Sequence, residues 1–174
     1  GTASHLAEIR WLRPVMDEAL RRNERLAIEI IGGRDVYRLY RGMPRVTVAH
    51  PMKWPAYQAF LAMPGRHVGL APLLDLPFNR ARSYTKFFDI TLSGAVGVYS
   101  PNSASAEVIS HGVEGQVVEL EQEAWVEAIL SLVQDEPLRQ DMLRNAQDKL
   151  SELAAQARQG YSGLMAARSG NEKE

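Results

Sequence analysis

The sequence contains no cysteine, so disulfide bridges and thiolate-bound metals are excluded, and its four histidines are scattered without ligand spacing. No apolar run approaches the roughly 20 residues needed to span a bilayer, and the first residues lack the basic-then-apolar pattern of an export signal. Net charge is nearly absent as well. Twenty basic residues stand against 21 acidic ones, a formal charge of −1, so no global field draws the chain to nucleic acid or to an anionic membrane. No G-x-G-x-x-G follows an apolar run, which argues against a nicotinamide or flavin dinucleotide site. The first strand does not end in an acidic cluster, as a receiver-like regulatory domain would require. These absences set the expectation of a soluble, cytoplasmic chain whose basic residues act only locally.

The 174 residues, 45% hydrophobic and 24% charged, suffice for one well-formed core and are too few for two ordinary domains. The expected division is one domain over 1–168 and a frayed polar tail over 169–174. Ser4 is placed to cap a helix with Ile9, Leu12, Met16 and Ala19 or Leu20 at helical spacing, kinked or restarted at Pro14. Leu26–Ile31 reads as a buried strand leaving through Gly32 and Gly33, with Arg34 and Arg38 following on a short helix. Val46–Ala49 is a second short strand, closed by His50. Trp54, Tyr57, Phe60 and Leu61 then recur at helical intervals and are expected to cover one face of the sheet. Gln116–Leu120 reads as the last strand. Two helices close the chain: one through Trp125, Ala128, Ile129, Leu132 and Val133, and one from Pro137 to about Arg158, ended by Gly160. Short, nearly uniform apolar strands alternating with helices predict a three-layer, Rossmann-like α/β domain with a parallel sheet covered on both faces.

The stretch from Val68 to Ser100 carries the chemistry. Val68–Ala71 and Gly94–Tyr99 read as strands, and a helix is expected from about Tyr84 to Ser93. Three cations, Arg80, Arg82 and Lys86, precede or enter that helix, where the exposed backbone amides already carry partial positive charge. Lys86 also precedes Asp89, the reverse of the favoured order for a helical ion pair. An anion arriving at the helix start explains both violations, and a phosphate fits. Three residues apart, Lys86 and Asp89 project to one side, so one ligand could meet both: phosphate at the lysine, sugar hydroxyls at the carboxylate. The plainer alternative is an incidental surface ion pair. The small-residue loop GTAS, which includes Thr2, reads as a helix cap or as amides approaching a ligand across a cleft, and Gly33 lies at a strand end where such folds bind ligands.

The run GLAPLLDLPFNRARSYTKFFDITLSGAVGVYS resembles the signature region in the C-terminal domain of GT-B-type glycosyltransferases, in particular bacterial surface-polysaccharide enzymes with a PFN-x-x-(K/R)-S-x-x-K-x-x-(E/D) pattern. HGVEGQVVEL and AWVEAILSLVQDEPLRQDMLRNA resemble that family's late strand and closing helices, and GTASHLAEIRWLRPVM its first loop and helix. The resemblance implies the nucleotide-sugar half of a two-domain glycosyltransferase. Asn79, Ser83 and the amides near Tyr84 would lie by the sugar and phosphates, Arg82 and Lys86 would neutralise the diphosphate, and Asp89 would bind ribose hydroxyls. Retaining relatives carry two glutamates eight positions apart; here Asp89 takes the second place and Ala81 the first. The implied partners are a nucleoside-diphosphate-sugar donor, with no separate cofactor and no metal, and an acceptor glycan, lipid or protein held by an N-terminal domain outside this sequence. That domain could also bring the protein to the inner face of a membrane. Without it, the 174 residues are expected not to transfer sugar. The competing expectation is a non-catalytic module that has kept the nucleotide pocket.

Overall fold

The computed structural model describes residues 5–74, 79 and 83–170, with side chains described through 159. The elements run α1 (Leu6–Arg22), β1 (Ile28–Ile31), α2 (Arg34–Tyr40), β2 (Val46–Ala49), α3 (Trp54–Leu61), β3 (Val68–Ala71), α4 (Thr85–Leu92), β4 (Val96–Tyr99), α5 (Ala104–Val108), β5 (Gly115–Val117), α6 (Gln122–Gln134) and α7 (Glu136–Gly170). All five expected strands are present, and every pairing is parallel. They form two sheets rather than one: β1 pairs with β2, and β3, β4 and β5 pair in that order. The registers run from Ile28 opposite Val46, Val68 opposite Val96 and Gly97 opposite Gly115. This is an α/β, Rossmann-like three-layer arrangement.

β4 is the centre. All four of its residues are buried, and its alternation sends Val96 and Val98 to one core and Tyr99 to the other. The first core packs α1, α2 and α6 on one face; Trp11 meets Trp125 edge to face, centroids 5.3 Å apart. The second packs Phe87 and Ile90 of α4 against Tyr99, Ile109 and Ala146 of α7. Gly69 of β3 lets α4 come close, since a Cβ there would stand 2.6 Å from the Ile90 side chain.

Four local expectations are revised. α1 runs unbroken through Pro14, which is exposed, so the missing hydrogen bond falls on the solvent side. Its N-cap is His5, without a side-chain cap bond. The aromatic stripe of α3 is not core: no α3 residue is buried, and Trp54 is 64% exposed. α7 passes through Gly160, whose helical penalty of about 1 kcal/mol a 35-residue helix absorbs. Consequently 169–170 are helical rather than frayed, while 171–174 lie outside the described residues. Among the described residues no helix is long and apolar enough to cross a membrane.

The Tyr99 hydroxyl is fully buried without a hydrogen-bond partner among the described residues, and burial raises its pKa above the ordinary phenol value. Tyr99→Phe removes a desolvated polar group while keeping the ring, so it should raise stability by about 1–3 kcal/mol in urea unfolding. A loss of stability would show that the hydroxyl is satisfied in solution.

Candidate functional site

β3 ends at Ala71, and Pro72 cannot continue the ladder. The chain is then caught by β4: Ser100 Oγ, fully buried, accepts from Leu73 N at 2.9 Å and donates to Leu73 O at 3.2 Å. Beyond Leu74 the loop reaches Asn79, which is 3% exposed and donates both to Leu74 O (2.8 Å) and to Glu8 Oε1 on α1 (2.7 Å). Glu8 is itself 3% exposed, and its Oε2 is buried with no hydrogen-bond partner among the described residues. A carboxylate oxygen left in that position is expensive unless something donates to it.

α4 then starts with Tyr84 as its N-cap, whose side chain makes no cap bond, so no side chain of the cap meets the first amides of the helix. Ser83 Oγ and Thr85 Oγ1 stand 2.6 Å apart at this start. One turn in, Lys86 Nζ lies 3.2 Å from Asp89 Oδ2. Tyr57 of α3 donates to the same Oδ2 at 2.8 Å. Burial, and then the hydrogen bond to Asp89, raise the Tyr57 hydroxyl's pKa well above its usual value, so it remains a donor at ordinary pH. Both bonds fall on one oxygen. The other, Oδ1, has no hydrogen-bond partner among the described residues and can accept from a ligand.

These groups face one cavity of about 1480 Å³, larger than the roughly 300–1,000 Å³ usual for a small-molecule site. Glu8, Ser83, Thr85, Lys86, Asp89 and Tyr57 line it at the end where β3 terminates, and it continues downward between β1 and β3. A loop and helix start beyond the carboxyl end of a parallel strand is where folds of this type bind ligands.

Of the expected site residues, the structure brings Ser83, Lys86 and Asp89 to the cavity. Asn79 is spent on tying the loop to α1. Tyr84 packs edge to face on Phe88, centroids 5.3 Å apart. Gly33 caps α2 in an extended conformation and does not line the cavity; nor does the exposed His50. Arg38 makes an exposed pair with Asp35. Thr2, Arg80 and Arg82 lie outside the described residues. Sequence reasoning missed Glu8, Thr85 and the part Tyr57 plays. A signal for Glu8 was present: it stands four residues before Leu12, on the stripe that continues through Val15, Met16 and Ala19, a place where a carboxylate needs a reason.

No protein-family model matches the chain, and no curated protein matches it. Among solved structures it is similar to a mutant of S. aureus TarM in complex with fondaparinux, alpha-GlcNAc-glycerol and UDP, with a TM-score of 0.65 at 13% identity. TarM is a GT-B glycosyltransferase. The fold is glycosyltransferase-like. The similarity covers 83% of this chain and 29% of the TarM chain, so the present chain corresponds to under a third of that protein's length.

The Asn79 bridge is open to a direct test. Asn79→Ala strips Glu8 of its donor and leaves a buried carboxylate with none among the described residues, so it should cost about 1.5–3 kcal/mol in urea unfolding without ligand. A cost below about 0.5 kcal/mol, the range of ordinary surface changes, would mean that the bridge does not hold the loop.

Proposed function

We propose that this chain is the donor-binding domain of a glycosyltransferase, which holds the nucleoside diphosphate of a nucleotide sugar at the start of α4. The observation that carries the reading is the posture of Asp89: Tyr57 and Lys86 both engage Oδ2, which leaves Oδ1 without a partner among the described residues, on a cavity-lining side chain one turn into a helix whose N-cap side chain makes no cap bond. The glycosyltransferase-like fold and the UDP bound by TarM support it.

The chemistry follows from charge. Breaking the bond between the anomeric carbon and the diphosphate leaves negative charge on the departing phosphate oxygen. Lys86, the first α4 amides and the Ser83 and Thr85 hydroxyls are the groups here that can meet that charge without a metal. Lys86 is half-exposed, so it can swing from Asp89 to a phosphate at little cost, because an exposed ion pair contributes about 0–1 kcal/mol. Asp89 Oδ1 would accept from the ribose hydroxyls. Glu8 Oε2 offers a second acceptor, suited to a hydroxyl of the transferred sugar or to a water that bridges to it. In this reading Arg82 joins Lys86 at the diphosphate, Thr2 stands by the donor, Asn79 holds the loop that frames it, and the acceptor is held by a second domain. The product belongs to polysaccharide or glycoconjugate synthesis.

Calorimetric titration with UDP, GDP, ADP, CDP and dTDP tests the reading. One diphosphate should bind, and Lys86→Ala should weaken it by about 1.5–3 kcal/mol, the range for a charge-assisted hydrogen bond, with little change in unliganded melting. Asp89→Asn should weaken ribonucleotides more than their 2′,3′-dideoxy analogues, which lack the hydroxyls concerned. If no diphosphate raises the melting temperature at millimolar concentration, the reading fails. Equal small losses of stability in both variants, with binding unchanged, would make the pair a surface ion pair only.

A further inference from the structure

The composition of α3 contradicts its position. Among the described residues it alone of the seven helices has neither a charged side chain nor a buried residue. A helix apolar all round belongs inside a protein or a membrane, whereas an exposed one carries polar residues on its outer face. The inner side of α3 is accounted for: Tyr57, Phe60 and Leu61 line the cavity, and Tyr57 donates to Asp89 at 2.8 Å. Its end is held by Arg66, which donates to Phe60 O at 2.8 Å and to Met63 O at 2.9 Å and lies 3.9 Å over the Phe60 ring. The outer side has no such account. Trp54, Pro55, Ala56 and Ala59, with Ala62 and Met63 just past the helix, are exposed and stand outside the cavity, and Gln58 is the one polar side chain among them. Trp54 is 64% exposed and Met63 56%.

Charge is segregated along the same stretch. Residues 36–74 hold five of the 20 basic residues and none of the 21 acidic ones, so a formal +5 lies on this part of the chain and −6 on the rest. His50 and Lys53 before α3, and His67 after it, are exposed. We propose that the outer face of α3 docks on an anionic lipid bilayer, with Trp54 at headgroup level, Ala59 and Met63 toward the acyl boundary and Lys53 against lipid phosphates. Complementarity selects this occupant. A short apolar helix face flanked by cations, with no acid near it in sequence, meets both properties of such a surface: its apolar boundary and its negative potential. Tryptophan, with an apolar body and a single polar N–H, is the residue enriched at that boundary. A second copy fits less well. A two-fold contact would set the same patch against itself, with Lys53 facing a cation and no carboxylate to neutralise either.

The test cosediments the 174-residue chain, without nucleotide, with vesicles of phosphatidylglycerol and phosphatidylcholine in equal parts and with vesicles of phosphatidylcholine alone. The expected result is a partition about tenfold or more in favour of the anionic vesicles, weakened at high ionic strength. Trp54 serves as its own reporter, because Trp125 is fully buried and Trp11 is half-buried against it. Its emission should shift to the blue on binding and be quenched by brominated phosphatidylcholine, and Trp54→Ala should abolish both changes. Ala59→Glu, which sets an acid in the middle of the face, and Lys53→Glu should each weaken binding about tenfold. Both positions are exposed, so the melting temperature of each variant should match that of the unaltered chain. The proposal is overturned if the chain binds neither vesicle, binds both alike, binds without quenching of Trp54, or binds equally well with Ala59→Glu. It is also overturned if sedimentation velocity shows a dimer that Ala59→Glu splits, since a second copy would then be the occupant.

Discussion

The complete burial of β4 is the constraint on which the rest depends. A strand with partners on both edges and helices on both faces has no exposed surface, so each residue must be apolar or small, and Val96, Gly97, Val98 and Tyr99 satisfy that in four different contacts. Because its alternation divides the two cores, β4 also sets where α4 and α6 lie relative to each other. Ser100, the next residue, extends the same control to the site: its buried hydroxyl holds Leu73 by both backbone groups and so fixes where the loop leaves β3. The cleft's upper rim is therefore anchored in the core through one side chain.

Above that anchor the polar groups hold one another in a chain of unequal bonds. Asn79 Nδ2 donates to both Glu8 and Leu74, which makes that amide nitrogen a strut between the loop and α1. Asp89 is committed at one oxygen only. Glu8 likewise has one oxygen bonded and one bare. Two carboxylates, each hydrogen-bonded at one oxygen and unpartnered at the other among the described residues, are a preorganised pair of acceptors. The cationic side is supplied by Lys86, whose exposure leaves it free to change partners.

Much of this was legible because the strands are short apolar runs between glycine and proline punctuation, and that pattern survives without tertiary information. Lys86 and Asp89 were legible as a helical pair for the same reason: spacing alone places them. Periodicity failed where the question was which surface a face would meet. Trp54, Tyr57 and Phe60 do recur at helical intervals, yet α3 lies beside an open cleft, so Trp54 is exposed, Tyr57 and Phe60 are only half-buried, and Tyr57 spends its hydroxyl on Asp89. Asn79 was legible as part of a motif, but not as a strut, because its partner Glu8 is 71 residues away. The division into two sheets was invisible for a related reason: each strand announces itself, but its neighbours are set by the whole topology.

That topology joins the cleft to the site. In a doubly wound sheet the ligand sits where the chain's direction of travel across the sheet reverses, because the loops on either side diverge there and leave a crevice. Here the steps toward β2 and the steps toward β5 start from either side of the cleft between β1 and β3. Glu8, Asp89 and the residues at the start of α4 all line the cavity that opens from that point. The oversized cavity thus divides into two regions of different chemistry: backbone edges and aliphatic side chains below, and hydroxyls, carboxylates and a lysine above.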